Sequence, residues 1–131
     1  MRGVYAFGAP MVGSPALARA CDRDPVLGAR VIRYIYERDV VARLPPTAAG
    51  DFAHFGREFA LRRDRVGAAE SDEPREQLNN LLDVLGAPLS FVARQARLTR
   101  QLPFGASLYH HFPFGYITAL TPGGVRSEFG D

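Results

Sequence analysis

The chain has 131 residues, 47% hydrophobic and 23% charged, which predicts one folded domain over residues 1–131 with a buried core. The formal net charge is +2, and every basic residue is an arginine scattered among acidic residues, so the composition excludes a basic stripe for nucleic acid. The single cysteine, Cys21, excludes an intrachain disulfide and a cysteine-cluster metal site. No apolar run reaches the roughly 18 residues that a membrane span needs.

The first half of the chain alternates strand and helix patterns. Residues 3–7 are apolar and aromatic, and they predict a first strand that ends in a glycine-rich turn. Residues 15–21 then predict a short helix, with Ser14 as its cap. The apolar residues 29–36 and the aromatic-rich residues 52–61 predict a second and a third strand.

The second half of the chain is predicted to be mainly helical. Residues 62–71 are charged and small, which is typical of a solvated loop. The leucines of residues 74–86 recur at helical spacing, and residues 88–100 form a second amphipathic pattern with arginines on its polar side. That second pattern fits either a membrane-surface helix or an ordinary helix packed on the core, and the ordinary helix is the preferred interpretation. A last helix is predicted near residues 116–120. The sequence therefore predicts an α/β protein with a mainly parallel sheet of about three strands and flanking helices.

Three polar residues are candidates for chemistry. Asp39 follows the second predicted strand, at the sheet edge where ligands and catalytic side chains gather in parallel sheets. An acid there could orient a histidine, although for Asp39 taken alone a cap of the turn is the preferred interpretation. His111 lies in a glycine- and aromatic-rich loop and could act as a general base or be structural, and His110 beside it is a second candidate. His54 is expected to be a packed histidine that bonds a neighbouring loop. No histidine pair has the helical spacing of a metal site, so neither a metal nor another cofactor is predicted.

Four segments in order, VYAFGAPMVGSPALA, VIRYIYERDVVARLPP, FAHFGREF and YHHFPFGYITAL, resemble the second half of a class 3 lipase, a branch of the α/β-hydrolases. The resemblance rests on a Gly-x-Pro-x-Val-Gly turn, an Asp-x-Val followed by Leu-Pro-Pro, a His-x-Gly-x-Glu strand and a histidine five residues before a tyrosine. The matching residues are Gly8, Pro10, Val12, Gly13, Asp39, Val41, Leu44, Pro45, Pro46, His54, Gly56, Glu58, His111 and Tyr116.

The resemblance implies a partial α/β-hydrolase fold, with Asp39 as the triad acid and His111 as the triad base. It also implies an ester or lipid substrate. The family's nucleophile lies on a Gly-x-Ser-x-Gly elbow, and none of the five serines has glycine at both positions. We therefore expect the chain to be the C-terminal part of such a domain, to lack the nucleophile-bearing part and to be inactive alone. The missing half would then come from an upstream segment or be supplied in trans.

Two other interpretations stay open at this point. The chain could be a non-catalytic module derived from a hydrolase, or a small α/β interaction domain without hydrolase ancestry. The second would be favoured if Asp39 and His111 lay far apart. A sheet without its first strands would expose an apolar face and an unpaired edge, so poor solubility is expected unless a partner covers that side. The sequence leaves the cellular compartment open.

Overall fold

A four-stranded, mainly parallel sheet organises the protein, whose computed structural model describes residues 3–71, 75–79 and 109–125. The strands are β1 (Val4–Phe7), β2 (Val31–Tyr36), β3 (Arg57–Arg62) and β4 (Arg65–Ser71), and they lie side by side in that order. The first three strands run parallel, and β4 returns antiparallel to β3. This arrangement confirms the predicted α/β class and the mainly parallel sheet.

The helices of the described residues are short, and two of the three begin at a recognisable signal. They are α1 (Pro15–Arg23), α2 (Leu27–Arg30) and α3 (Pro113–Leu120), with single 3-10 turns at Val41–Arg43 and Thr47–Ala49. As predicted, Ser14 caps α1, because its hydroxyl oxygen accepts a hydrogen bond from the backbone N–H of Leu17. A proline at the first helical position of both α1 and α3 fixes a backbone angle that suits a helix.

The core lies where α3 packs against β2 and β3. Tyr36, Leu61, Tyr116 and Ala119 form one buried cluster. The ring centroids of Tyr36 and Tyr116 are 5.8 Å apart, so an aromatic contact joins the end of β2 to the middle of α3. This contact holds the loop before α3 close to the carboxyl ends of the parallel strands.

The sequence-based prediction is wrong for two parts of the sheet. Residues 62–71 are not a solvated loop, because they contain the turn after β3 and all of β4. The side chains of β4 are mostly exposed, so the strand is defined by its backbone pairing to β3 and carries no apolar pattern to detect. The third strand begins at Arg57, not at residue 52, because Gly56 has a φ of 77° that breaks the strand.

The predicted helix of residues 74–86 is also contradicted where it can be compared. Residues 75–79 are not helical. Leu78 is buried, and it exchanges backbone hydrogen bonds with Arg43 and Thr47 in the loop after β2. The rest of that predicted helix and the predicted helix of residues 88–100 lie outside the described residues.

Candidate functional site

Asp39 lies in the turn that follows β2, at the carboxyl edge of the parallel strands. The turn is closed by a hydrogen bond of 3.0 Å from the backbone N–H of Asp39 to the carbonyl of Tyr36. The backbone N–H of Glu37 donates to the carbonyl of Leu61, which ties the same turn to the end of β3. The side chain of Asp39 is completely buried. A buried carboxylate is costly without hydrogen-bond donors, so its partners define the site.

Three donors surround the Asp39 carboxylate. The backbone N–H of Val41 donates to Oδ1 at 2.9 Å. Oδ2 lies 3.0 Å from Nδ1 of His111 and 2.5 Å from the hydroxyl of Tyr116. Hydrogen bonds to an ionised acceptor are the stronger ones, so this shell compensates much of the lost hydration of the carboxylate.

The bond to Asp39 determines how the His111 ring can act. A carboxylate only accepts hydrogen bonds, so Nδ1 of His111 carries the proton. In the neutral ring, Nε2 is then the basic nitrogen, on the far side of the ring from Asp39. The His111 side chain is 41% exposed while Asp39 is fully buried. This pair can therefore take up a proton at Nε2 and stabilise the resulting cation.

Tyr116 belongs to the same cluster. It is buried in α3, and burial raises the pKa of its hydroxyl, with the hydrogen bond to Asp39 as the second cause. The hydroxyl therefore stays protonated and donates to the carboxylate. In the sequence, Tyr116 enters only as the tyrosine five residues after His111 in the family pattern. That pattern does not predict a hydrogen bond from its hydroxyl to Asp39. A buried tyrosine's need for a hydroxyl partner was the one available signal.

Gly8, which directly follows β1, allows the side chains of Asp39, His111 and Tyr116 to approach its backbone closely. Its φ is 58°, a conformation that favours glycine. A Cβ on Gly8 would lie 2.8 Å from both Nδ1 of His111 and the hydroxyl of Tyr116, and closer still to Oδ2 of Asp39. The sequence predicts a turn at Gly8, but the close approach of its backbone to an acid 31 positions later is visible only in three dimensions.

His110, the neighbouring histidine, contacts the turn that carries Asp39. Its Nδ1 accepts a 3.3 Å hydrogen bond from the backbone N–H of Arg38, and its ring packs edge-on against Tyr36 at 5.7 Å. Of the two adjacent histidines, His111 is the one that the structure places on Asp39.

A nucleophile is not found in the described part of the site. The sequence has no Gly-x-Ser-x-Gly, and Ser14 is engaged as the cap of α1. Within residues 3–71, 75–79 and 109–125, no group of three or more His, Cys, Asp or Glu side chains could hold a metal ion. The helices of those same residues include none long and apolar enough to cross a bilayer.

Comparison with known proteins shows a similarity in the first part of the chain. No curated protein and no solved structure matches the chain. The sequence model of the family described as lipase (class 3) matches residues 1–49, a segment that contains Gly8 and Asp39 but not His111. This match supports a class 3 lipase-type domain.

Proposed function

We propose that this chain supplies the acid and the base of a class 3 lipase-type serine ester hydrolase, with Asp39 as the acid and His111 as the base. The observation that carries the proposal is the 3.0 Å contact between Nδ1 of His111 and the buried Oδ2 of Asp39, at the carboxyl edge of a parallel sheet. The family match over residues 1–49 supports the same reaction class. In open α/β sheets this edge is where catalytic side chains gather.

In the proposed reaction, Nε2 of His111 takes the proton from a serine hydroxyl as the oxygen attacks the ester carbonyl. Asp39 holds the ring in the tautomer that leaves Nε2 basic, and its charge stabilises the imidazolium. His111 then gives the proton to the leaving alcohol, and in the second half of the reaction it takes a proton from the water that attacks the acyl-serine and returns it to the serine oxygen. Phe112 and Phe114 flank this region with 40% and 56% of their surfaces exposed, which supports an acyl chain of a lipid ester as the substrate.

We place the serine outside these 131 residues, in the remaining part of a partial α/β-hydrolase fold, because the sequence contains no Gly-x-Ser-x-Gly elbow. Strand β1 supports this placement. Within the described ranges it pairs with β2 alone, and Tyr5 and Phe7 on it are 60% and 49% exposed. A further strand, from an upstream segment or from a separately encoded half, would cover this edge.

The test compares the chain alone with the chain extended by the segment encoded upstream, using a short-chain ester and an acylglycerol. We expect turnover only from the extended protein, with His111→Ala and Asp39→Asn each abolishing most of it and His110→Ala leaving most of it. An extended protein that carries the serine elbow but has no turnover, or keeps it in His111→Ala, refutes the catalytic assignment. Turnover by the chain alone refutes the placement of the serine.

The second candidate is a non-catalytic module derived from a hydrolase, which the absence of a Gly-x-Ser-x-Gly elbow from the sequence favours. Under this candidate the upstream coding region holds no serine elbow, and a fluorophosphonate probe labels neither the chain nor its extended form. Labelling of a serine in the extended form eliminates this candidate.

A further inference from the structure

The His-x-Gly-x-Glu segment has no part in the site described so far. Its residues are His54 and Gly56, which precede β3, and Glu58, the second residue of β3. They border a cavity of about 470 Å³ that Asp39 and His111 do not line. One residue of this segment, His54, instead contacts the turn that follows Asp39.

His54 binds the backbone of that turn directly. Its Nε2 lies 2.8 Å from the carbonyl oxygen of Ala42, and a carbonyl only accepts, so Nε2 carries the proton and donates. Ala42 is completely buried in the 3-10 turn Val41–Arg43. Burial, followed by the charge of Arg33, lowers the pKa of His54, so the ring is neutral at neutral pH.

The partly buried Arg33 and the buried Glu58 hold the segment that carries His54. Arg33 on β2 donates from Nε to the carbonyl of Phe55 at 2.9 Å and from Nη2 to the carbonyl of Gly56 at 3.4 Å. Its Nη1 donates to Glu58 at 3.0 Å, and Glu58 is only 5% exposed. Three bonds from one planar guanidinium leave the backbone beside His54 little freedom.

The position of Ala42 connects these contacts to the acid. The residue before it, Val41, donates its backbone N–H to Oδ1 of Asp39. Since His54 binds the next residue along the same turn, displacement of the turn would move a donor of the carboxylate. We propose that His54 is a positioning residue, which acts through Ala42 and Val41 to hold Asp39 in register with His111.

This inference depends on the proposed function only where it assigns catalytic roles to Asp39 and His111. The contact that it concerns, from Nδ1–H of His111 to Asp39, can be measured without any ester turnover. If the hydrolase proposal fails, the effect of His54 on that contact is still decided by the experiment below. If ester hydrolysis is established but the contact between His111 and Asp39 does not change in the His54 variants, only this inference fails.

The experiment compares His54→Gln with His54→Met in the full 131-residue chain. The two replacements have similar length and volume, but only glutamine can donate to the carbonyl of Ala42. The readout is the NMR signal of the His111 ring Nδ1–H, assigned by its loss in His111→Gln. Ala18→Gly, a change in the interior of α1, controls for a general loss of stability.

We expect the Nδ1–H proton of His111 to exchange with water about tenfold faster in His54→Met than in the parent chain. His54→Gln and Ala18→Gly are expected to keep an exchange rate close to that of the parent. Equal exchange in the methionine and glutamine variants overturns the proposal, and so does equal acceleration in His54→Met and Ala18→Gly.

Arg33→Lys provides a second route if His54→Met does not fold. Lysine keeps the charge near Glu58 but cannot reproduce the three-armed contact to the carbonyls of Phe55 and Gly56. We expect accelerated exchange of the same His111 proton, smaller than that of a direct loss of the His54 donor. An unchanged rate in a folded Arg33→Lys variant overturns the proposal.

Discussion

Tyr116→Phe tests whether the tyrosine hydroxyl stabilises the buried acid. The substitution removes one oxygen and keeps the ring, whose centroid lies 5.9 Å from that of Phe7 and 5.8 Å from that of Tyr36. The lost bond is 2.5 Å long and ends on a fully buried carboxylate. Hydrogen bonds to charged groups contribute about 1.5–3 kcal/mol to the free energy of unfolding.

Asp39 keeps two donors in the variant, the N–H of Val41 and Nδ1 of His111, so the loss falls in the lower part of that range. We expect the free energy of unfolding to decrease by about 2 kcal/mol. With a urea dependence of about 2 kcal/mol per molar, the midpoint moves down by roughly 1 M. Urea titration followed by circular dichroism measures this shift.

Tyr5→Phe is the matched control, because Tyr5 is 60% exposed and the same oxygen is removed. Its change is expected to stay within about 0.5 kcal/mol. A double-mutant cycle with Asp39→Asn then isolates the pair, with an expected coupling of at least about 1 kcal/mol. A loss below about 0.5 kcal/mol in Tyr116→Phe, or additive effects in the cycle, would refute the reasoning.

Three further predictions concern the surroundings of the acid. Gly8→Ala adds a Cβ that collides with the carboxylate of Asp39 at a positive φ, so we expect a loss well above the ~1–2 kcal/mol of the backbone term, measured by urea unfolding. Burial lowers the pKa of His54 in the folded chain, so its neutral ring contributes to the free energy of unfolding above about pH 6.5. This contribution is lost as the pH falls through the folded-state pKa. The stability difference between the parent chain and His54→Gln should therefore narrow from pH 7 towards pH 5, and a constant difference contradicts it. Glu58→Gln leaves two partly buried arginines, Arg33 and Arg75, without their acid and should lower the free energy of unfolding by about 3 kcal/mol, whereas Glu70→Gln breaks an exposed pair and should leave the urea midpoint nearly unchanged.

The parts of the fold that the sequence predicts well are those whose side chains are buried. Strand β2 includes the buried residues Val31, Ile35 and Tyr36, and the apolar run to which they belong predicts a strand. Strand β4 is defined by backbone bonds to β3 and has exposed side chains, so its composition resembles a loop. Local propensity also failed at Leu78, where long-range backbone bonds replace the predicted helix.

For the candidate site, too, some residues are predicted from the sequence and others are found only in the structure. The resemblance to a family placed Asp39 and His111 in one reaction, and the composition alone left both with structural alternatives. The hydroxyl of Tyr116 and the backbone of Gly8 act through distances of a few ångströms between residues far apart in the chain. Such contacts follow from strand order and from the crossing of α3 over the sheet, which residue patterns do not specify.

The shell around Asp39 also bears on the two interpretations of that residue, the proposed triad acid and a cap of the turn. A carboxylate that only caps a turn needs a nearby backbone N–H, and the bond from Val41 to Oδ1 meets that need within two residues. Capping gives no reason for Oδ2 to receive donors from residues 72 and 77 positions away. Nor does it explain a glycine whose missing Cβ is required for Oδ2 to fit. The second oxygen thus has a shell that orients a half-exposed histidine, and this arrangement supports the proposed general-base role of His111.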